Sequence, residues 1–191
     1  MPQSPNPSNS AASLQHRADS SQFVAFQLDD QQYAFPIERI REIVILQNIT
    51  PVPQVAEHVD GVTNLRGQII PVVQLRCLFK LQRRPDDEET RTIVVQVGDR
   101  MIGCTVDSVS RVLRLPHSEI QEAPESIVAA ADHAIAGFAR LDLNADSKTA
   151  DDPELIILLD VDKLLRIDHL QADVQVAAST RAAQLAQSPS T

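Results

Sequence analysis

The sequence matches itself. Ile37, Ile40, Ile43 and Val44 in IERIREIV fall on Val106, Val109, Val112 and Leu113 in VDSVSRVL at a constant spacing of 69 residues, and each stretch follows a pair of short apolar runs. The order of matches continues downstream: Pro53 with Pro124, VDGVTNL at 59–65 with IAGFARL at 135–141, and IPVVQLRCLF at 70–79 with ILLDVDKLL at 157–165. The spacing widens to about 86, as it does when loops lengthen between fixed elements. A chain of this kind folds as two copies of one unit of about 70 residues.

The unit is mostly strand. FVAFQL, DDQQ and YAFPI read as a β-hairpin, and so do TIVVQV, GDR and MIGCTV, because β-branched and aliphatic runs are split by turn chemistry. Apolar spacing of three and four is confined to short tracts at 53–59, after Leu75 and around Ala129, so any helices are short. In the first copy the strand VTNL passes through Arg66-Gly67-Gln68 directly into IIPVV, a tight reversal in which Gly67 supplies backbone freedom. The polar stretch DLNADSKTADDPE replaces that turn in the second copy. The pattern predicts a mainly β protein of two small closed barrels packed side by side.

Composition narrows the partners. Of 191 residues 43% are hydrophobic, enough for a core, while 17 Lys and Arg against 26 Asp and Glu leave a net charge of -9 that repels nucleic acid. Aromatics amount to 3%, too few for the stacking platforms of single-strand or sugar binders. Cys77 and Cys104 form no CxxC pair and read as reduced thiols of a cytosolic protein; no signal peptide or long apolar span is visible. Residues 1–21 are rich in Pro, Ser, Asn and Gln and read as a disordered tail, and residues 169–191 as a peripheral tail with weak helical periodicity. The folded body is assigned to 22–168, with a first barrel over about 23–83 and a second over about 92–167.

Reactive constellations are not evident. His16, His58, His117, His133 and His169 show no metal-ligand spacing, and His58 with Asp60 reads as a solvated pair. Asp160 and Asp162 would share a face if ILLDVD were a strand, but the sequence offers no third carboxylate or phosphate-binding loop. GxGxxG, GxxxxGK[ST] and GxSxG are missing, and Ser108 and Ser110 have no nearby base. Asp86, Asp87, Glu88 and Glu89 read as a solvated link between the units. The expectation is a binding module without catalysis, cofactor or metal.

The run GVTNLRGQIIPVVQLR, with IERIREI upstream and LIILLDVDKLL at the end, resembles the CheW coupling proteins of bacterial chemotaxis from Phe23 to Ile167. The resemblance implies two five-stranded SH3-like or OB-like barrels, with strand exchange between them left open. It implies an adaptor that docks the regulatory domain of the chemotaxis histidine kinase CheA onto the cytoplasmic tips of methyl-accepting chemoreceptors, at membrane-associated arrays. A related twitching-motility or surface-sensing adaptor, or a small β-barrel ligand-binding protein, are the alternatives. A receptor helical hairpin would lie in the groove between barrels, with barrel ends meeting the kinase. By the same resemblance Arg66 contacts a partner from its tight turn, flanked by Asn64 and Gly67, and Ile40, Val109 and Val112 are further contact candidates. Glu42 is placed to pair with Arg66, and Gly61 and Gly103 to permit close backbone approach. Ser108 departs from the glycine common in similar proteins at the turn after the second hairpin.

Overall fold

The computed structural model describes residues 20–45, 48–130, 134–141 and 154–165. Among the described residues, eleven strands form two sheets. The first half supplies β1 (Ser20–Leu28), β2 (Gln31–Pro36), β3 (Ile40–Val44), β4 (Val59–Leu65) and β5 (Gln68–Gln74). The second supplies β6 (Arg91–Val97), β7 (Arg100–Val106), β8 (Ser108–Pro116), β9 (Ile120–Glu122), β10 (Ile135–Leu141) and β11 (Glu154–Leu159). Short helices α1 (Leu75–Leu78) and α3 (Val161–Leu164) follow β5 and β11, and α2 (Glu125–Ala130) precedes β10. The fold is mainly β, in the two-barrel SH3-like arrangement.

The sheets do not follow the chain halves. One is ordered β8-β1-β2-β11-β10-β9 and the other β3-β6-β7-β5-β4, so each half lends its N-terminal hairpin to the other half's sheet. The exchange is reciprocal and in register. Ala25 pairs with Ala34 in one hairpin and Val94 with Gly103 in the other, each pair displaced by the same 69 residues. Both hairpins then join the receiving sheet through a parallel pair, Val72 with Gly103 and Leu158 with Ala34. Residues 23–83 and 92–167 therefore each contribute to both barrels.

Burial explains the apolar runs. Phe23, Val24, Ala25 and Phe26 are all buried, as are Ile93, Val94 and Val95, because each hairpin is covered on both faces. Phe23, Ala25 and Ala34 point into a cluster with Leu113, Leu115, Ala139, Ile156 and Leu158 inside the six-stranded barrel. Phe26, Leu28 and Phe35 point the other way, into a core shared with Val73, Ile93, Val95 and Cys104 of the second sheet and with Leu164 and Leu165. Aromatic residues line this shared seam: Phe26 lies 4.8 Å from Phe35 and 6.0 Å from Tyr33, which stacks 5.1 Å from Phe79.

Several local expectations change. Ser20 and Ser21 open β1, where backbone pairing with Pro116 and Leu115 outweighs their turn-like composition. Residues 53–59 carry turns and no helix. Asp160 follows β11 and caps α3, its Oδ1 accepting the Lys163 N–H at 3.1 Å, so it shares no strand face with Asp162. Asp60 is bonded to Arg83 and largely buried, so it is not the solvated group expected. Ser108 is the first residue of β8; the bend falls on Asp107. The six-stranded sheet exceeds five by β9, whose counterpart in the other barrel is the single bridge between Thr50 and Val62. The tails before Ser20 and after Leu165 lie outside the described residues, as does most of the polar stretch after Leu141.

Candidate partner-binding site

The β4–β5 hairpin turns on two residues. Arg66 at φ 51° and Gly67 at φ 91° are both left-handed, the geometry that matches the twist of the flanking strands. The Asn64 side-chain carbonyl accepts the Gly67 N–H at 2.8 Å and holds the turn closed. Arg66 is thereby projected with four-fifths of its side chain exposed, at 80%.

Sheet order puts β3 and β4 on opposite edges, so closure of this barrel needs contacts other than a full ladder. The chain after β3 returns to β4: Thr50 and Val62 exchange backbone hydrogen bonds of 2.8 and 2.9 Å, and Thr63 Oγ1 donates to the Asn48 carbonyl at 3.0 Å. Gly61 makes that approach possible. Its φ is 142°, and a Cβ there would stand 2.1 Å from the Thr50 carbonyl oxygen. At the tip the seam is spanned by a side-chain pair, Arg66 Nη2 to Glu42 Oε2 at 2.8 Å. Glu42 follows a bulge in β3, where the register against β6 shifts between Ile40 and Glu42.

Glu42, Asn64, Arg66 and Gly67 thus converge on one end of the five-stranded barrel, with Gly61 bracing it from the seam. Ile40 is half-buried against the shared core. Gly103 lies inside β7, where a Cβ would meet Thr92 Cγ2 at 2.9 Å, so its role is packing. Val109 and Val112 are on β8 in the other sheet: Val109 packs on the shared core and Val112 is 58% exposed.

Two features escaped sequence reasoning. Ile43 and Ile45 stand exposed on and just after β3, beside Glu42, and their signal was an unbroken aliphatic run on a strand that needs only one buried face. The second is Arg76, buried with Asp107 where the chain passes from β7 to β8 and bonded also to the exposed Asp29. Burial alone would lower the Arg76 pKa; its bond to Asp29 and the charge of Asp107 reverse this and raise it. Burial pushes the Cys104 thiol up to about 12. Among the described residues no group of His, Cys, Asp or Glu is arranged to hold a metal, and no helix is long and apolar enough to cross a membrane.

Known proteins share this frame. A family model for the CheW-like domain matches residues 22–169. The chemotaxis protein CheW of Klebsiella aerogenes is 34% identical over 158 residues, spanning 83% of this chain and 89% of that protein. Protein FrzA of Myxococcus xanthus is 30% identical over 152 residues, 79% of this chain and 89% of its own length. The crystal structure of the scaffolding protein TtCheW from Thermoanaerobacter tengcongensis superposes with a TM-score of 0.65 at 29% identity, covering 78% of this chain and 94% of that one. With the family model, the full-length relative and the superposition agreeing, this chain belongs to the CheW-like family of scaffold proteins.

Proposed function

We propose that this chain is a non-catalytic cytoplasmic adaptor that couples the chemotaxis histidine kinase CheA, through its regulatory domain, to the cytoplasmic tips of chemoreceptors. The observation that carries the reading is the Arg66 turn, within a CheW-like domain that spans 22–169. A guanidinium presented on a rigid two-residue turn and oriented by Glu42 loses little freedom when a partner carboxylate or carbonyl binds it. Ile43 and Ile45 are exposed on and just after β3, the strand that carries Glu42, so aliphatic surface is available on the same strand as the residue that orients Arg66.

Coupling needs two contact surfaces on one body, because receptor state reaches the kinase only through contacts that differ between signalling states. Two barrels sharing one core make such a body. Among the described residues, a pocket beside Ile45, Ile49, Thr92 and Thr105 holds about 50 Å³, room for a water or two.

The test is reconstitution with a receptor and kinase of the chemotaxis type. Adding this protein should make kinase phosphorylation depend on the receptor, and Arg66→Ala should weaken association with kinase or receptor by ~1 to 3 kcal/mol at unchanged thermal stability. Unaltered pull-down of both partners by the alanine variant would refute the role given to Arg66.

A further inference from the structure

The chain crosses between its two sheets at two related points. It leaves β2 for β3 through Pro36 and the 3-10 turn Ile37–Arg39, and leaves β7 for β8 through Asp107. Each crossing is tied to the helix that ends a barrel. Arg39 pairs with Asp162, the second residue of α3, and Asp107 pairs with Arg76, the second residue of α1. The helices are counterparts, so the cation and the anion have traded places between the copies.

The settings differ more than the signs. Arg76 and Asp107 are 6% and 9% exposed, and further bonds hold them. Arg76 Nη2 reaches Asp29 Oδ1 at 2.9 Å and its Nε donates to the Gln82 carbonyl at 2.8 Å. Asp107 Oδ2 accepts the Asp29 N–H at 2.8 Å, and the Asp107 N–H donates to the Gln27 carbonyl at 3.1 Å. The pair at the other crossing is 43% and 22% exposed, so water and salt screen it. Breaking a buried pair strands a charge in the interior; breaking an exposed one returns both charges to solvent.

We propose that the two crossings form an asymmetric hinge: the β7–β8 crossing is locked by Arg76, and Arg39–Asp162 is the latch that opens, freeing the start of β3 from the second barrel. β3 begins at Ile40, immediately after Arg39, and carries Glu42, the residue that orients Arg66. Opening the latch changes the seat of the partner-binding tip, and a partner bound near α3 gains a route to that tip through a two-state element. This regulatory consequence rests on the adaptor reading; the hinge itself does not.

Hydrogen exchange read by mass spectrometry on the full chain tests it. In wild type, raising NaCl from about 50 to 500 mM should speed exchange across 37–44 by about two- to fivefold while 107–113 stays unchanged. Asp162→Asn and Arg39→Gln should each reproduce the faster exchange at low salt and remove its salt dependence, with the melting temperature nearly unaltered. Equal salt responses at the two crossings, or no response of 37–44 to either substitution, would overturn the hinge. Association assays with Arg66→Ala separate the two ideas: an intact tip with symmetric exchange removes the hinge alone, and asymmetric exchange with undiminished partner binding removes the Arg66 reading alone.

Discussion

The two barrels close their tips with the same contact written in opposite signs. Glu42 on β3 meets Arg66 of the β4–β5 turn, while Arg111 on β8, its counterpart at the spacing of 69, meets Glu154 at the start of β11 at 2.9 Å. Both β3 and β8 carry the bulge that aims these residues. The crossings show the same inversion. Geometry is shared where backbone meets backbone, and at the tips charge diverges where side chains meet at the surface, because an exposed pair adds little to stability whichever end is positive. Duplication has thus left one frame carrying two chemically distinct tips.

The sharpest break in this parallel lies at the crossings. Arg76→Met should leave Asp107 buried without its cation and cost about 3–5 kcal/mol, whereas Asp162→Asn should cost under about 1 kcal/mol. Urea unfolding of both variants measures the gap. Equal losses would mean that burial does not distinguish the two pairs.

Next in size is the glycine at each seam. Gly61 and Gly137 occupy the same place in β4 and β10, each beside a register shift. A Cβ at Gly61 would stand 2.1 Å from the Thr50 carbonyl oxygen at a φ of 142°, against 2.7 Å from the Gln121 carbonyl at Gly137, where the φ lies outside the left-handed range. Gly61→Ala should lose more than about 2 kcal/mol, the scale of strain combined with a backbone clash. Gly137→Ala should lose less, since its neighbour is the three-residue edge strand β9. A reversed order in urea midpoints would place the tighter seam in the wrong barrel.

What the sequence could and could not reveal follows the same division. Both hairpins, the Arg66 turn and the duplication were legible because apolar runs, turn residues and a fixed spacing are local signals. That each hairpin belongs to the other half's sheet was not, since FVAF and IVV look the same whichever sheet receives them. The glycines at 61 and 137 aligned in the repeat, but only a neighbouring carbonyl shows why a side chain is excluded. Of the tip, Glu42 with Arg66 was readable from the motif and a guess at adjacency. Nothing local in the sequence marks Arg76, because its partners come from two distant turns.

A smaller comparison concerns the tips themselves. Double-mutant cycles on Glu42 with Arg66 and on Arg111 with Glu154 should each return a coupling of about 0–1 kcal/mol, lower at high salt. If the Arg66 cycle gives several times the coupling of the other, the first tip is held by more than an exposed pair and its value as a free binding surface falls.

The smallest effect is a pH slope from a group that one barrel carries and the other lacks at the matching position. Asp60 on β4 has its counterpart at Ala136 on β10, so the matching position of the six-stranded barrel carries no titratable group. Burial raises the Asp60 pKa above its ordinary 3.8; Arg83 pulls it down through charge and hydrogen bond, and Asp86 pushes it up again. The folded protein therefore holds this proton more tightly than the unfolded chain. Between the ordinary value and the raised one, the folded state binds more protons, and stability falls as pH rises through that window. Asp60→Asn lacks this titration. The difference in unfolding free energy, variant minus wild type, should therefore shift in the variant's favour as pH climbs through the window and level off above it. A shift toward wild type over the same range would mean that the Arg83 pair dominates, and that the linker after α1 is fastened to β4 by charge.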